Sequence, residues 1–287
     1  MNASSAVFST FRWFWRLTGA SQNQIARSVV SAVATPLTAA LARAQGITFP
    51  TPGVDGFGRL CYLMGWYERE TVSTCRRFLR PGANAVDIGA HIGYFSRHFA
   101  ELVGPSGRVF AFELHRETFQ ILRRNVARYP NVTAEELAVS DHTGRSQFFE
   151  MTASGQHSLV FNVRPETGAF LRSRTTVDST TLDAYLASQG NPPIALVKMD
   201  VDGGESKALR GMVHTITSNP GLKLIVEFAP VSLAAAGVKP EEFLRTLRSY
   251  GFRVDGIGFS LAGLQIPNTA TFAPNLLCTT SDGESPF

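Results

Sequence analysis

Acidic residues are missing from the first 54 positions, where Arg12, Arg16, Arg27 and Arg43 meet no carboxylate before Asp55. The formal net charge of +4 therefore sits in that segment. The rest of the chain balances its charges, which disfavours a nucleic-acid partner, because a phosphate backbone needs a positive footprint. Cysteine is scarce: Cys61, Cys75 and Cys278 have neither metal-ligand spacing nor an even count, so buried thiols in a reducing compartment are expected. Internal repeats and low-complexity tracts are absent. So is the G-x-G-x-x-G that brings backbone close to a pyrophosphate.

What is present divides simply. At 287 residues and 44% hydrophobic, the chain can bury one sizeable core. The reading is an aromatic and basic N-terminal extension over 1–55 and a single catalytic domain over 56–287, with an inserted hairpin region at 142–179. Within the extension, Phe8, Phe11, Trp13, Phe14, Trp15 and Leu17 surround Arg12 and Arg16. They suit either a lid helix or peripheral membrane contact through residues 8–17, but the segment is too short and too charged to span a bilayer. A cytoplasmic location, with or without that contact, is the expectation. In the insert, SQFFEM and HSLVFNV read as two strands around a Ser-Gly turn, a place for acceptor choice because sheet scaffolds carry specificity on their loops.

Residues Val86 to Glu113 carry the most information. They read as an apolar strand ending VDIGAHIGYFS, a helix, and a second apolar strand, VFAFE, that stops on a carboxylate. Gly89 and Gly93 would let backbone approach a ligand where a Cβ would collide, and Glu113 could accept both hydroxyls of a ribose. The Gly-x-x-x-Gly spacing, with His91 inside it and bulky Tyr94 after it, favours a nucleoside cofactor without phosphates, and S-adenosyl-L-methionine fits. Asp87, Gly89, His91, Gly93, Tyr94 and Glu113 are the expected contacts.

Two further apolar runs, Ile194 to Met199 before Asp200 and Leu222 to Phe228 around Glu227, look like strands buried on both faces of a parallel sheet. Ligands of such sheets bind outside the carboxyl ends of the strands, so Asp87, Glu113, Asp200 and Glu227 are expected to border one crevice. Phe95, Phe99, Leu102 and Val103 give one inward helix face, and Phe119, Leu122, Val126 and Tyr129 another. Pro240 opens a later helix that ends near Gly251. FRVDGIGF and NLLCTTS then supply an antiparallel closing pair.

In order, VDIGAHIGYFS, VFAFELHRETFQILRRNV, ELAVSDHTG, TTLDAYL, LVKMDVDGGESKALRGM and LIVEF resemble the successive motifs of the FkbM family of S-adenosylmethionine-dependent methyltransferases. The resemblance implies a Rossmann-like seven-stranded α/β sheet with helices on both faces, parallel except for an antiparallel C-terminal strand. It also implies methyl transfer to an oxygen of a sugar, glycolipid or secondary metabolite. By position it adds Ser140 and Asp141, in the turn after the third strand, to the cofactor contacts. One departure is that Asp202 stands where the family carries Glu, so charge is kept and reach shortened.

Transfer to an aliphatic hydroxyl needs alignment and a general base. Asp200, beside Asp202 and Glu205, is the first candidate and His157 the second. Asp200, Asp202 and Glu227 are oxygen ligands of a kind magnesium accepts, but no spacing motif supports a metal and none is expected. Asn191-Pro192-Pro193 precedes the fourth strand and reads as a turn. A nicotinamide-dependent oxidoreductase and a non-catalytic, membrane-associated scaffold are the alternatives.

Overall fold

The structure is a computed structural model, and it describes residues 37–50, 56–151, 159, 171–261, 266, 269 and 273–280. His157, most of HSLVFNV and residues 8–17 lie outside the described residues. The chain forms two compact units, residues 1–69 and 70–287. In the first, helix α1 (Gly56–Leu63) meets the stretch before it: Gln45 donates to the Leu63 carbonyl (3.2 Å), and the Phe49 and Tyr62 rings stand edge to face at 5.2 Å. That packing draws residues 45–50 and α1 into one unit, so the division falls at Arg69/Glu70.

Helix α2 (Arg69–Phe78) starts at the division, followed in the second unit by β1 (Asn84–Ile88), α3 (Tyr94–Val103), β2 (Arg108–Phe112), α4 (Arg116–Val126) and β3 (Val132–Glu135). After β4 (Ala138–Val139), β5 (Gly144–Met151) and β6 (Leu171–Thr180) come α5 (Leu182–Ser188), β7 (Leu196–Met199), α6 (Glu205–Arg210) and α7 (Val213–Ser218). The chain then runs through β8 (Lys223–Glu227), α8 (Pro230–Ala235), α9 (Pro240–Ser249), β9 (Phe252–Gly256) and β10 (Asn275–Thr280). Seven strands form one sheet in the order β3-β2-β1-β7-β8-β10-β9. All its pairings are parallel except those of β10, which runs antiparallel between β8 and β9.

Strand alternation sorts the core. Val86, Ile88, Phe110, Phe112, Val197, Met199, Leu224, Val226 and Leu276 face one side, where they pack with Leu182, Leu209, Leu233, Phe243 and Leu247 from the helices. Ala111, on the other side, packs with Phe119, Leu122 and Val126 of α4. Each such side chain, fully buried, is worth roughly 1.5–3 kcal/mol of transfer free energy. Pro240 starts α9 with Glu241 and Glu242 in its first turn, and Gly251 at φ +86 follows its last residues.

In the inserted region SQFFEM falls in β5, which pairs antiparallel with β6 from Gly144↔Ser179 to Met151↔Leu171, while HSLVFNV, the partner expected from the sequence, lies outside the described residues apart from Leu159. With β4 these strands make a separate three-stranded sheet in the order β4-β6-β5. Five of ten β6 positions are exposed, three of them charged, so no apolar alternation announces it. Cys75 and Cys278 are buried and Cys61 is half-buried, all as free thiols. Among the described residues no helix is long and apolar enough to cross a membrane.

Candidate active site

The site lies at the carboxyl ends of β1, β2, β7 and β8. Between β1 and α3 the chain turns through Gly89 (φ +79), His91 (φ +49) and Gly93 (φ +88), all left-handed. A Cβ on Gly89 would fall 1.9 Å from the Asp200 carbonyl oxygen, and one on Gly93 would lie 2.9 Å from Leu122 Cδ1. The space is thus occupied by β7 and α4, so both glycines are dictated by left-handed backbone and close packing. Tyr94 opens α3 as a buried ring, edge-on to Phe95 (5.2 Å) and His98 (4.8 Å).

Glu113 ends β2 with its carboxylate clamped. Oε2 accepts from the His91 backbone N–H and Oε1 from the His115 backbone N–H, both at 2.9 Å. Burial raises its pKa to about 7, outweighing the two N–H donors that favour the charged form. Burial likewise holds the His91 imidazole neutral, with a pKa lowered to about 4 against the pull of Asp200. Beyond Glu113, Glu135 at the tip of β3 accepts from the Tyr185 hydroxyl (2.9 Å). His115 bonds Thr118 (2.8 Å) and lies 3.7 Å from Glu150 of β5, which ties the second sheet to the loop after Glu113.

Asp87 sits one residue inside β1, not at its tip. Alternation turns it toward α3, where Oδ2 accepts from the Ser96 hydroxyl at 2.6 Å and the residue is 1% exposed. Burial raises its pKa, partly offset by Lys198. Register puts Asp87 beside Lys198. The Lys198 ammonium, 2% exposed, lies 4.6 Å over the Phe95 ring and donates to Asp200 Oδ2 at 3.0 Å. Asp200 Oδ1 makes no hydrogen bond to the described residues, so this oxygen can accept a proton from a bound hydroxyl.

The loop after Asp200 is held by its own helix. Glu205, fully buried, accepts from the N–H groups of Val201 (3.0 Å) and Gly203 (2.9 Å), and burial lifts its pKa to about 7. Asp202 takes φ +49, and a Cβ on Gly203 would lie 2.8 Å from the Ser232 carbonyl. Glu227 places beside these acids a buried Oε2 that has no hydrogen-bond partner among the described residues. Burial, then the charges of Asp200, Asp202 and Glu205, push its pKa well above the ordinary glutamate range. No group of three or more His, Cys, Asp or Glu side chains gathers at metal-binding range among the described residues.

Ser140 and Asp141 follow β4 of the second sheet instead of β3. The Ser140 N–H donates to the Thr180 carbonyl (2.9 Å), and Asp141 Oδ2 accepts from Arg210 of α6 at 2.7 and 3.2 Å. Against its partial burial, Arg210 and His142 bring the Asp141 pKa down to about 2. These residues join the second sheet to α6. Residues the sequence reading gave no role are Ser96, Lys198 and His115; the alternation of K-x-D in VKMD, which puts Lys198 and Asp200 on one face, was the available signal for Lys198.

The Methyltransferase FkbM domain matches residues 87–254, more than half of the chain. The chain belongs to the FkbM methyltransferase family. It is 26% identical over 184 residues to the 2-O-methyltransferase NoeI of Sinorhizobium fredii, covering 61% of this chain and 70% of NoeI. It is 27% identical over 164 residues to the hexuronic acid methyltransferase AglP of Haloferax volcanii, covering 56% of this chain and 59% of AglP. A shorter match, 44% over 57 residues, is to a protein-L-isoaspartate O-methyltransferase of Methanothrix thermoacetophila, covering 19% of this chain and 27% of that protein. Within the FkbM family the methyl donor is S-adenosyl-L-methionine.

Proposed function

We propose that this FkbM protein transfers the methyl group of S-adenosyl-L-methionine to a hydroxyl of a sugar-type acceptor, with Asp200 as the general base. The observation that carries the reading is Glu113. Its carboxylate is buried, aimed by two backbone N–H groups, and retains lone pairs for two more donors, which is what the adjacent hydroxyls of a ribose require. The relatives NoeI and AglP, a 2-O-methyltransferase and a hexuronic acid methyltransferase by name, support oxygen as acceptor and a sugar as its carrier.

The bound donor supplies a methyl group on a positively charged sulfur, open to in-line displacement. The chain's own residues do the rest. Glu113 fixes the nucleoside, and the His91 turn, rigid through its bond to Glu113, closes one wall. Asp200 receives the acceptor proton on Oδ1 while Lys198 holds Oδ2 at 3.0 Å, so the base is oriented before the acceptor arrives. Glu227, whose pKa burial and the charge of Asp200 raise, places its unpartnered Oε2 at the end of β8 toward the same crevice.

Methyl-labelled donor, incubated with the protein and a panel of neutral and uronate-bearing oligosaccharides, tests the assignment. Label in a carbohydrate fraction supports it; label only in protein or nucleic acid contradicts it. Calorimetry with S-adenosylhomocysteine and with NAD separates it from the nicotinamide reading, which membership in a methyltransferase family does not favour.

A further inference from the structure

Four neighbouring strand ends carry the site, in the order Glu113 on β2, the glycine turn on β1, Asp200 after β7 and Glu227 on β8. Adjacent strands lie about 4.8 Å apart, so Glu113 and Glu227 stand about 14 Å from each other across the sheet. With Glu113 holding the nucleoside and Asp200 meeting the reacting hydroxyl, Glu227 lies beyond the reacting atoms, on the acceptor's side.

Register pairs Met199 with Val226, so the next residues along, Asp200 and Glu227, are direct neighbours. They share the face of Lys198 and Ile225, two positions earlier. The protein treats the two carboxyls differently. Asp200 Oδ2 takes the Lys198 ammonium at 3.0 Å. Glu227 Oε2 is buried and has no hydrogen-bond partner among the described residues. Asn275, opposite Glu227 on β10, donates its side-chain amide to Thr71 of α2 at 3.2 Å. A buried carboxyl oxygen left bare by the protein costs stability, and a ligand that completes it accounts for its retention. Burial and the Asp200 charge raise the pKa of Glu227. A hydroxyl suits either protonation state, since it donates to a carboxylate oxygen and accepts from a carboxylic acid.

We propose that Glu227 binds the acceptor through the hydroxyl adjacent to the one being methylated, so that the substrate is a vicinal diol spanning the Asp200 and Glu227 carboxyls. The oxygen facing Asp200 gains the methyl carbon as the carbon–sulfur bond breaks; that bond's electron pair stays on sulfur, and the hydroxyl proton goes to Asp200 Oδ1. Glu227 Oε2 fixes the neighbouring hydroxyl, which sets the rotation of the acceptor and which of its oxygens faces the methyl group. Sugars supply such pairs on adjacent ring carbons; an isolated alcohol does not. The inference rests on the proposed function and names the feature of the acceptor that the site reads.

The test uses the full chain, methyl-labelled donor and the neutral and uronate-bearing oligosaccharides, each labelled one paired with congeners lacking a hydroxyl next to the methylated position. Wild type should methylate one such congener about ten-fold or more less efficiently in kcat/KM. Glu227→Leu, which fills similar space without an oxygen, should lower kcat/KM toward the intact acceptor by a similar factor and treat acceptor and congener alike. Glu227→Gln keeps one accepting oxygen and should fall between the two; it carries the test if the melting temperature shows that Leu disturbs the fold. Affinity for S-adenosylhomocysteine, from calorimetry, should stay within about two-fold of wild type in both variants. Variants that discriminate as wild type does overturn the proposal. So do variants that lose S-adenosylhomocysteine affinity as much as acceptor affinity, which would give Glu227 to the donor's ammonium. No label in any oligosaccharide overturns the proposed function and this inference with it, whereas label with unchanged discrimination overturns this inference alone.

Discussion

Replacing Glu113 by Gln keeps the shape of the side chain and removes its charge and one acceptor oxygen. In the native protein each carboxylate oxygen already takes one backbone N–H at 2.9 Å, from His91 and His115, and the remaining lone pairs serve the ribose. The amide can satisfy only one of those N–H groups and accept only one ribose hydroxyl. A hydrogen bond to a charged group is worth about 1.5–3 kcal/mol, so loss of one toward the ligand should weaken S-adenosylhomocysteine about 10- to 150-fold. The wild-type protein should also show a pH dependence, because Glu113 has a pKa near 7 and must be ionised to accept two hydroxyls. Its affinity should be about ten-fold weaker at pH 6 than at pH 8, and E113Q should be flat over that range. Isothermal calorimetry at both pH values, with circular dichroism to verify the fold, measures all of this. An E113Q dissociation constant within two-fold of wild type at pH 8 would refute the ribose role.

Asp200→Asn should leave S-adenosylhomocysteine affinity within a few-fold of wild type and lower methyl transfer about 10²-fold or more, measured by label incorporation at saturating donor; near-normal turnover would remove it as the base. Gly89→Ala combines strain at φ +79 with a Cβ 1.9 Å from the Asp200 carbonyl, so roughly 2–5 kcal/mol of stability should be lost in urea titration, and an unchanged midpoint would show the turn to be less constrained than described. Glu113 and Glu205 both stay protonated in the folded protein up to about pH 7, whereas in the unfolded chain they ionise near 4.5. The folded state therefore binds more protons between those values, and stability, full below pH 4.5, should fall by up to about 3 kcal/mol per group as pH rises through 7. Glu205→Gln should flatten that loss in denaturant titrations; an identical slope would place the effect elsewhere.

Much of the central sheet was legible because its strands are short apolar runs between helices with clear inward faces. Phe95, Phe99, Leu122, Val126, Phe243 and Leu247 all pack inward as their spacing requires. The glycine turn was legible in position, but its cause was not. Nothing local reveals that the backbone of Asp200, more than a hundred residues on, occupies the space beside Gly89. Asp87 was read as a strand-tip acid because the end of β1 lies one residue later than the motif suggests, and that single step turns the side chain toward Ser96. The second sheet escaped because β6, LRSRTTVDST, carries its apolar residues too sparsely to show a buried face. Ser140 and Asp141 moved with it, since β4 pairs with β6 and not with β2.

The account rests on a nucleoside held by Glu113 with its reactive sulfur turned toward Asp200. A crystal structure of the complex with S-adenosylhomocysteine tests this directly: both ribose hydroxyls should lie within hydrogen-bond distance of the Glu113 carboxylate, with the sulfur between the Gly89–Gly93 turn and Asp200. A nucleoside bound elsewhere, or a ribose whose hydroxyls make no contact with Glu113, would contradict it.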